Sequence, residues 1–209
     1  MWLKICGLTQ GAQALKIAEM GASALGVIAV PQSPRYCSPE QILHINQCLQ
    51  AAGIGIPLVA VMMDPAWELL EVLLGRVGGV QLHGQESPQL CEQIRSRYPE
   101  VLLIKALRPR TEADLAAAAA YAPWVDYVLI DAYHPHLAGG TGQTGNWQLL
   151  TSWDPPCPWL LAGGLNARTL PQALAQVRPD GVDLSSGVED APGIKNLQRV
   201  AEIMEILRC

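Results

Sequence analysis

The sequence predicts an α/β protein folded as a single, compact (β/α)8 barrel, the TIM-barrel architecture. Three observations carry that expectation. A short apolar run and a longer segment with helical spacing alternate eight times along the chain. That alternation implies parallel strands with right-handed crossovers, and closing them into a ring leaves no strand edge unpaired. The strand runs are nearly continuous in apolar residues, as strands covered on both faces are. Several end in glycine or a polar side chain, at the strand end where this fold keeps its chemistry. The chain has 209 residues, against the ~250 typical of the fold, so helices and connectors must be short. No linker or compositional shift marks a boundary, and residues 1–209 read as one domain. An open doubly wound sheet is the structural alternative.

Each element follows from a local signal. Trp2 to Leu8 is the first strand, and Gln10 to Met20 the first helix, stopped by Gly21. Ala24 to Val30 is the second strand. A polar loop from Pro31 to Cys37 leads to a helix opened by Ser38-Pro39-Glu40, with serine as cap and proline in the first turn. Pro57 to Met63 is the third strand, and Asp64-Pro65 is read as the cap of a helix reaching about Leu74. Gly79 to His83 is the fourth strand, followed by a helix from Ser87-Pro88. Val101 to Leu107 is the fifth. Thr111-Glu112 starts the next helix, through the run Ala116 to Ala120, which needs no explanation beyond alanine's helix propensity. Tyr127 to Asp131 is the sixth strand, followed by a long loop from Ala132 to Gly145 and a short helical piece from Asn146 to before Trp153. Trp159 to Ala162 is the seventh, with Asn166 capping the helix after it. Gly181 to Ser185 is the eighth, and Lys195 to Leu207 the last helix.

Composition excludes several classes. Half the residues are hydrophobic, 16% are charged, and the net charge is -5, which argues against non-specific binding to nucleic acid or anionic membranes. The cysteines, Cys6, Cys37, Cys48, Cys91, Cys157 and Cys209, form no CxxC and stand at no metal-ligand spacing with histidine. No secretory signal precedes the first strand, and no apolar run approaches the ~18 residues of a membrane helix. A cytoplasmic protein with reduced thiols is expected. With no phenylalanine, leucine, valine, tryptophan and methionine must fill the core.

The strand ends carry the candidate site. Strand one ends in Lys4-Ile5-Cys6-Gly7, with Lys4 and Cys6 on one face. Cys6 is either a packed thiol or a thiol aimed at the barrel mouth above a cation. Asp131 shares its strand face with Leu129 and Tyr127, so it points into the mouth as a candidate acid, or else caps a helix or joins a salt bridge. Strands one and six lie well apart on the ring, which places Cys6 and Asp131 across a small substrate from each other. Gly139 to Gly145, Gly163-Gly164 and Ser185-Ser186-Gly187 follow strands six, seven and eight. Loops of this kind expose backbone N–H groups and suit a phosphate, although three tight turns would look the same. Gly140, Thr141, Gly142, Gly163, Gly164, Ser185, Ser186 and Gly187 are therefore candidate substrate-binding residues. Arg35 suits a substrate carboxylate, or is a surface arginine. His83 is a substrate contact or a satisfied barrel histidine. His134-Pro135-His136 has no third ligand to complete a metal site. Lys4 and Asp183 lie on strands that neighbour each other in a closed barrel and are expected to pair beneath Cys6.

The segments KICGLT at 4–9, SPRY at 33–36, QLHG at 81–84, LIDA at 129–132, GGTGQTG at 139–145, LAGGLN at 161–166 and DLSSGVE at 183–189 occur in that order. Together they resemble the phosphoribosylanthranilate isomerase family of tryptophan biosynthesis, over essentially the whole chain. The resemblance implies a (β/α)8 barrel without metal or organic cofactor. It implies an Amadori rearrangement of N-(5-phosphoribosyl)anthranilate to 1-(2-carboxyphenylamino)-1-deoxyribulose 5-phosphate. Cys6 then stands as general base, Asp131 as general acid, Arg35 as the holder of the anthranilate carboxylate, and the glycine-rich loops as the phosphate site. A free thiol is only a few per cent ionised at pH 7, so a lowered thiol pKa is expected; Lys4 either helps to lower it or only pairs with Asp183 and holds the barrel floor together. Either a monomer or a homodimer is compatible with this. The chain departs from the family at Gly145-Asn146-Trp147, where a phenylalanine and an aspartate commonly precede the tryptophan, and in GVIAV of strand two, which lacks the usual aromatics. A related isomerase of the histidine pathway, generally with paired aspartates, and a non-catalytic phosphosugar-binding barrel are the alternatives.

Overall fold

The computed structural model describes residues 1–132 and 147–208. Gly140, Thr141 and Gly142, the pair His134 and His136, the Gly145-Asn146 departure and Cys209 lie outside the described residues.

Eight parallel strands close into a barrel in sequence order: β1 (Trp2–Ile5), β2 (Ala24–Ile28), β3 (Leu58–Met62), β4 (Gly79–Leu82), β5 (Leu102–Leu107), β6 (Tyr127–Asp131), β7 (Trp159–Ala162) and β8 (Gly181–Leu184). The closing pair is β1 with β8, in a register that sets Lys4 beside Asp183. Around them lie α1 (Gly11–Met20), α2 (Pro39–Ala51), α3 (Trp67–Leu73), α4 (Pro88–Arg97), α5 (Glu112–Ala116), α6 (Ala118–Tyr121), α7 (Thr169–Leu174) and α8 (Leu197–Arg208). A 3-10 turn at Trp147–Leu150 stands between β6 and β7.

The two strand faces build two cores. Outward residues such as Leu3, Ile5, Val80, Leu82, Val182 and Leu184 pack under the helices. Inward residues, among them Ala24, Val59, Ile104, Ala106, Leu129, Leu160 and Ala162, fill the barrel. By the same two-residue period, Lys4, Gln81 and Asp183 point inward, where all three are buried. Small inward residues leave them room. At Gly26 on β2 an added Cβ would lie 2.6 Å from Cys6 Sγ.

Helix starts follow the caps. Ser38 closes a capping box with Gln41 at the start of α2, and Ser87 accepts from Leu90 N at 3.3 Å at the start of α4. Asp64 does not cap α3, whose first residue is Trp67. Asp64 takes a left-handed φ of 44°, and its carboxylate accepts from Gln85 N at 2.7 Å, stitching the loop after β3 to the loop after β4. The alanine-rich helix is two pieces rather than one, and Tyr121 at the end of the second donates its hydroxyl to Glu86 O at 2.9 Å. A small hairpin, β9 (Glu189–Ala191) with β10 (Ile194–Lys195), turns at Gly193 with φ 81°. The sequence pattern did not announce it, because its strands are short and polar. Lys195, expected to begin the last helix, belongs to it instead.

Candidate active site

Cys6 directly follows β1 and continues its ladder, donating from N to Leu184 O at 2.8 Å. Its thiol is buried. Two residues below, fully buried Lys4 donates from Nζ to Asp183 Oδ2 at 3.0 Å and to Gln81 Oε1 at 2.9 Å. Burial pushes the Lys4 ammonium toward neutrality, but Asp183 and the Cys6 thiol prevail and hold its pKa above the ordinary lysine value. Burial also pushes the Cys6 thiol up, and Lys4 only partly offsets it. This corrects the expected lowering: spacing along a strand shows the cation, not the desolvation.

A cavity of about 310 Å³ opens above these groups at the C-terminal end of the barrel. Cys6, Gln81, His83, Asp131 and Asp183 form one part of its wall; Gly163, Gly164, Ser185, Ser186 and Gly187 form another. Apart from Arg35, every candidate site residue that is described therefore reaches one space. Asp131, the last residue of β6, has Oδ2 at 3.5 Å from His83 Nε2 and 3.6 Å from Arg108 Nε. His83 Nδ1 lies 3.0 Å from Gln81 Nε2. Asp183 Oδ2 is taken by Lys4, while its Oδ1 is buried without a hydrogen-bond partner among the described residues.

The glycine-bearing corner is tightly built. Gly163 and Gly164 adopt φ of 96° and 67°. A Cβ at Gly187 would come within 1.9 Å of Leu165 O, so only glycine lets the turn after β8 seat against the loop after β7. Asn166 Oδ1 accepts from Arg168 N and Thr169 N in the turn that leads into α7, but the N-cap position of that helix is Arg168 rather than the expected Asn166.

Arg35 stands apart from the cavity wall. Its Nε donates to Glu189 Oε1 and Oε2 at 2.9 and 3.0 Å, and its Nη2 to Oε2 at 2.5 Å. The side chain lies over Gly7, where φ is 79° and a Cβ would meet Arg35 Cδ at 2.6 Å. Glu189 also accepts from Lys195 Nζ at 2.6 Å and Gly193 N at 3.1 Å. Burial alone would raise the Glu189 carboxyl pKa, but Arg35 and Lys195 together hold it below the ordinary value. Burial lowers the Lys195 pKa in spite of Glu189.

Sequence reasoning missed Gln81, Arg108, Glu189 and Lys195. For Gln81 a signal existed: a polar residue two before His83 on an apolar strand shares its face. Glu189 lies inside the DLSSGVE segment, yet its hairpin setting has no one-dimensional signature.

A barrel with a thiol and a carboxylic acid converging on its C-terminal mouth, beside a corner of exposed backbone, defines an enzyme of the (β/α)8 class. The family model for N-(5'phosphoribosyl)anthranilate (PRA) isomerase matches residues 3–206. The chain is 49% identical over 205 residues to the N-(5'-phosphoribosyl)anthranilate isomerase of Thermosynechococcus vestitus, covering 98% of this chain and 89% of that one. It is 46% identical to that of Rippkaea orientalis, covering 100% and 96%. Among solved structures, the phosphoribosyl anthranilate isomerase of Thermotoga maritima aligns with a TM-score of 0.84 at 32% identity, covering 100% and 98%. Another, in complex with reduced 1-(o-carboxyphenylamino)-1-deoxyribulose 5-phosphate, aligns with a TM-score of 0.80 at 30% identity, covering 98% and 97%. This chain belongs to the phosphoribosylanthranilate isomerase family.

Proposed function

We propose that the protein catalyses the Amadori rearrangement of N-(5-phosphoribosyl)anthranilate to 1-(2-carboxyphenylamino)-1-deoxyribulose 5-phosphate in tryptophan biosynthesis. The observation that carries this reading is the shared cavity, with Cys6 and Asp131 in its wall together with Gly163, Gly164 and Ser185 to Gly187. Asp131 acts as general acid and protonates the ribose ring oxygen, so that the ring opens to a protonated Schiff base. Cys6, as thiolate, removes the C2 proton, and the resulting enolamine tautomerises to the ketone. The buried thiol resists ionisation in the free protein. The iminium cation formed beside it, together with Lys4, favours the thiolate at the step that needs it.

The backbone N–H groups of the turns at Gly163-Gly164 and Ser185-Ser186-Gly187 hold the phosphate, with Gly140, Thr141 and Gly142 as the third limb. His83 contacts the substrate beside Asp131. Arg35 holds the anthranilate carboxylate through its Nη1 edge, since Glu189 takes the Nε and Nη2 side. The protein acts without metal or organic cofactor and without nucleic acid, as one domain, as a monomer or homodimer, in the cytoplasm. Among the described residues no cluster of three or more His, Cys, Asp or Glu could hold a metal ion, and no helix is long and apolar enough to cross a membrane.

Turnover is followed by the fluorescence change of the anthranilate substrate. Wild type is expected to turn over, and Asp131→Asn to lose roughly a hundredfold or more in kcat while still binding substrate. Binding by wild type without turnover would sink the enzyme reading in favour of a phosphosugar-binding barrel. Near wild-type kcat in Asp131→Asn would remove the aspartate from its role.

A further inference from the structure

A line of polar side chains crosses the barrel from Lys4 to Asp131, and Gln81 stands inside it. Lys4 Nζ donates to Gln81 Oε1 at 2.9 Å, Gln81 Nε2 lies 3.0 Å from His83 Nδ1, and His83 Nε2 lies 3.5 Å from Asp131 Oδ2. An ammonium group has donors only, so the Gln81 atom facing Lys4 must be its oxygen. The amide nitrogen then faces His83. That nitrogen is also a donor, so His83 Nδ1 must accept, and a neutral ring carries its proton on Nε2. We propose that Gln81 is a positioning residue: held by Lys4, it fixes His83 as the Nε2–H tautomer and turns that N–H toward Asp131.

The surroundings leave the amide little choice. Gln81 is 1% exposed, on the inner face of β4. A flipped amide would set N–H groups against the ammonium. His83 Nε2 is buried and has no hydrogen-bond partner within ordinary geometry among the described residues, with Asp131 Oδ2 close by. Arg108, from the loop after β5, approaches the same Asp131 oxygen at 3.6 Å. Lys105 on β5 turns its ammonium away, to Glu86 Oε2 and to the carbonyls of Leu82 and Gly84. On the far side of Gln81 lie Lys4 and Asp183.

The use of this arrangement rests on Asp131 acting as general acid; the tautomer itself does not. A general acid must hold its proton until the ring oxygen takes it. A neutral N–H beside Asp131 supports the carboxylate once the proton has left, without adding a second full positive charge to that of half-exposed Arg108, which would draw the proton off beforehand.

The test reads the tautomer and the rate separately. Two-bond 1H–15N correlation spectra of 15N-labelled protein, with His83→Asn to assign the signal, are expected to show the Nε2–H pattern for His83 in wild type. In Gln81→Glu, which offers acceptors to both Lys4 and His83, the ring is expected to carry a proton on Nδ1. Its kcat is expected to fall roughly tenfold to a hundredfold with KM little changed. A wild-type His83 protonated on Nδ1 overturns the proposal, and this spectrum needs no variant to fold. A tautomer switch in Gln81→Glu with kcat unchanged overturns the positioning role. Absent turnover by wild type instead overturns the activity, and with it the use of the N–H, while the spectrum still reports the tautomer.

Discussion

Two buried lysine–carboxylate pairs sit on opposite faces of the barrel wall. Lys4, on the inner face of β1, pairs with Asp183 at 3.0 Å; Lys105, on the outer face of β5, pairs with Glu86 at 2.7 Å. The outer pair is saturated. Glu86 accepts from Asp64 N, Gly84 N and Lys105, and Lys105 reaches two carbonyls besides. It fastens the loops after β3 and β4, and everything it can bond to is already bonded. The inner pair leaves buried Asp183 Oδ1 without a hydrogen-bond partner among the described residues, on a residue that lines the cavity, and places its ammonium beside the thiol. Two pairs of similar length and burial thus differ in what they face. A saturated pair holds structure, whereas one with bonding capacity left over, on a residue that lines a cavity, is available for chemistry.

Replacing each lysine by methionine separates these roles most sharply. Removing one partner of a buried pair costs roughly 3–5 kcal/mol because the other charge is left uncompensated. Both Lys4→Met and Lys105→Met should therefore lose stability of that order in chemical denaturation. Their activities should part: Lys4→Met loses roughly a hundredfold in kcat through the thiol, while folded Lys105→Met keeps kcat near wild type. Equal activity in the two variants would erase the distinction.

Gly26→Ala probes the inner face without touching a charge. The added methyl must displace the Cys6 thiol from 2.6 Å. Such overpacking costs about 1–3 kcal/mol, and a displaced base is expected to lower kcat roughly tenfold to a hundredfold. An alanine variant with wild-type kcat would show that the thiol's position is not critical.

The smallest expected effect concerns acid. Burial alone would raise the Glu86 pKa, but Lys105 and the backbone donors hold it below the ordinary carboxylate value. The carboxylate form is thus favoured more in the folded chain than in the unfolded one. This contribution is present above the ordinary glutamate range of about 4.3 and is lost as pH falls through the depressed folded value. Glu86→Gln should flatten the acid limb of a plot of denaturation midpoint against pH, with neutral-pH kcat preserved. An unchanged acid limb would mean that Glu86 does not carry it.

The barrel was legible because its signals are periodic. A two-residue period put Leu129 and Asp131 on one face, and likewise Lys4 and Cys6, and the closed ring then brought Lys4 to Asp183 and Asp131 to the same cavity as Cys6. Asp64 misled because its side chain answers a backbone N–H 21 residues away rather than its own helix. Glu189 and Lys195 stayed hidden because a two-strand hairpin of polar residues has no hydrophobic period. The Cys6 pKa was misjudged because burial is a property of the assembled barrel, while a neighbouring cation can be read from one strand.

The central claim is that Cys6 removes the C2 proton. Its most direct test is kcat of Cys6→Ser at saturating N-(5-phosphoribosyl)anthranilate, measured beside wild type under identical conditions. A serine hydroxyl keeps the shape but is a far weaker acid than a thiol, so the expected result is a loss of roughly a hundredfold to ten-thousandfold in kcat with KM little changed. A Cys6→Ser variant turning over at a rate near wild type would contradict the account.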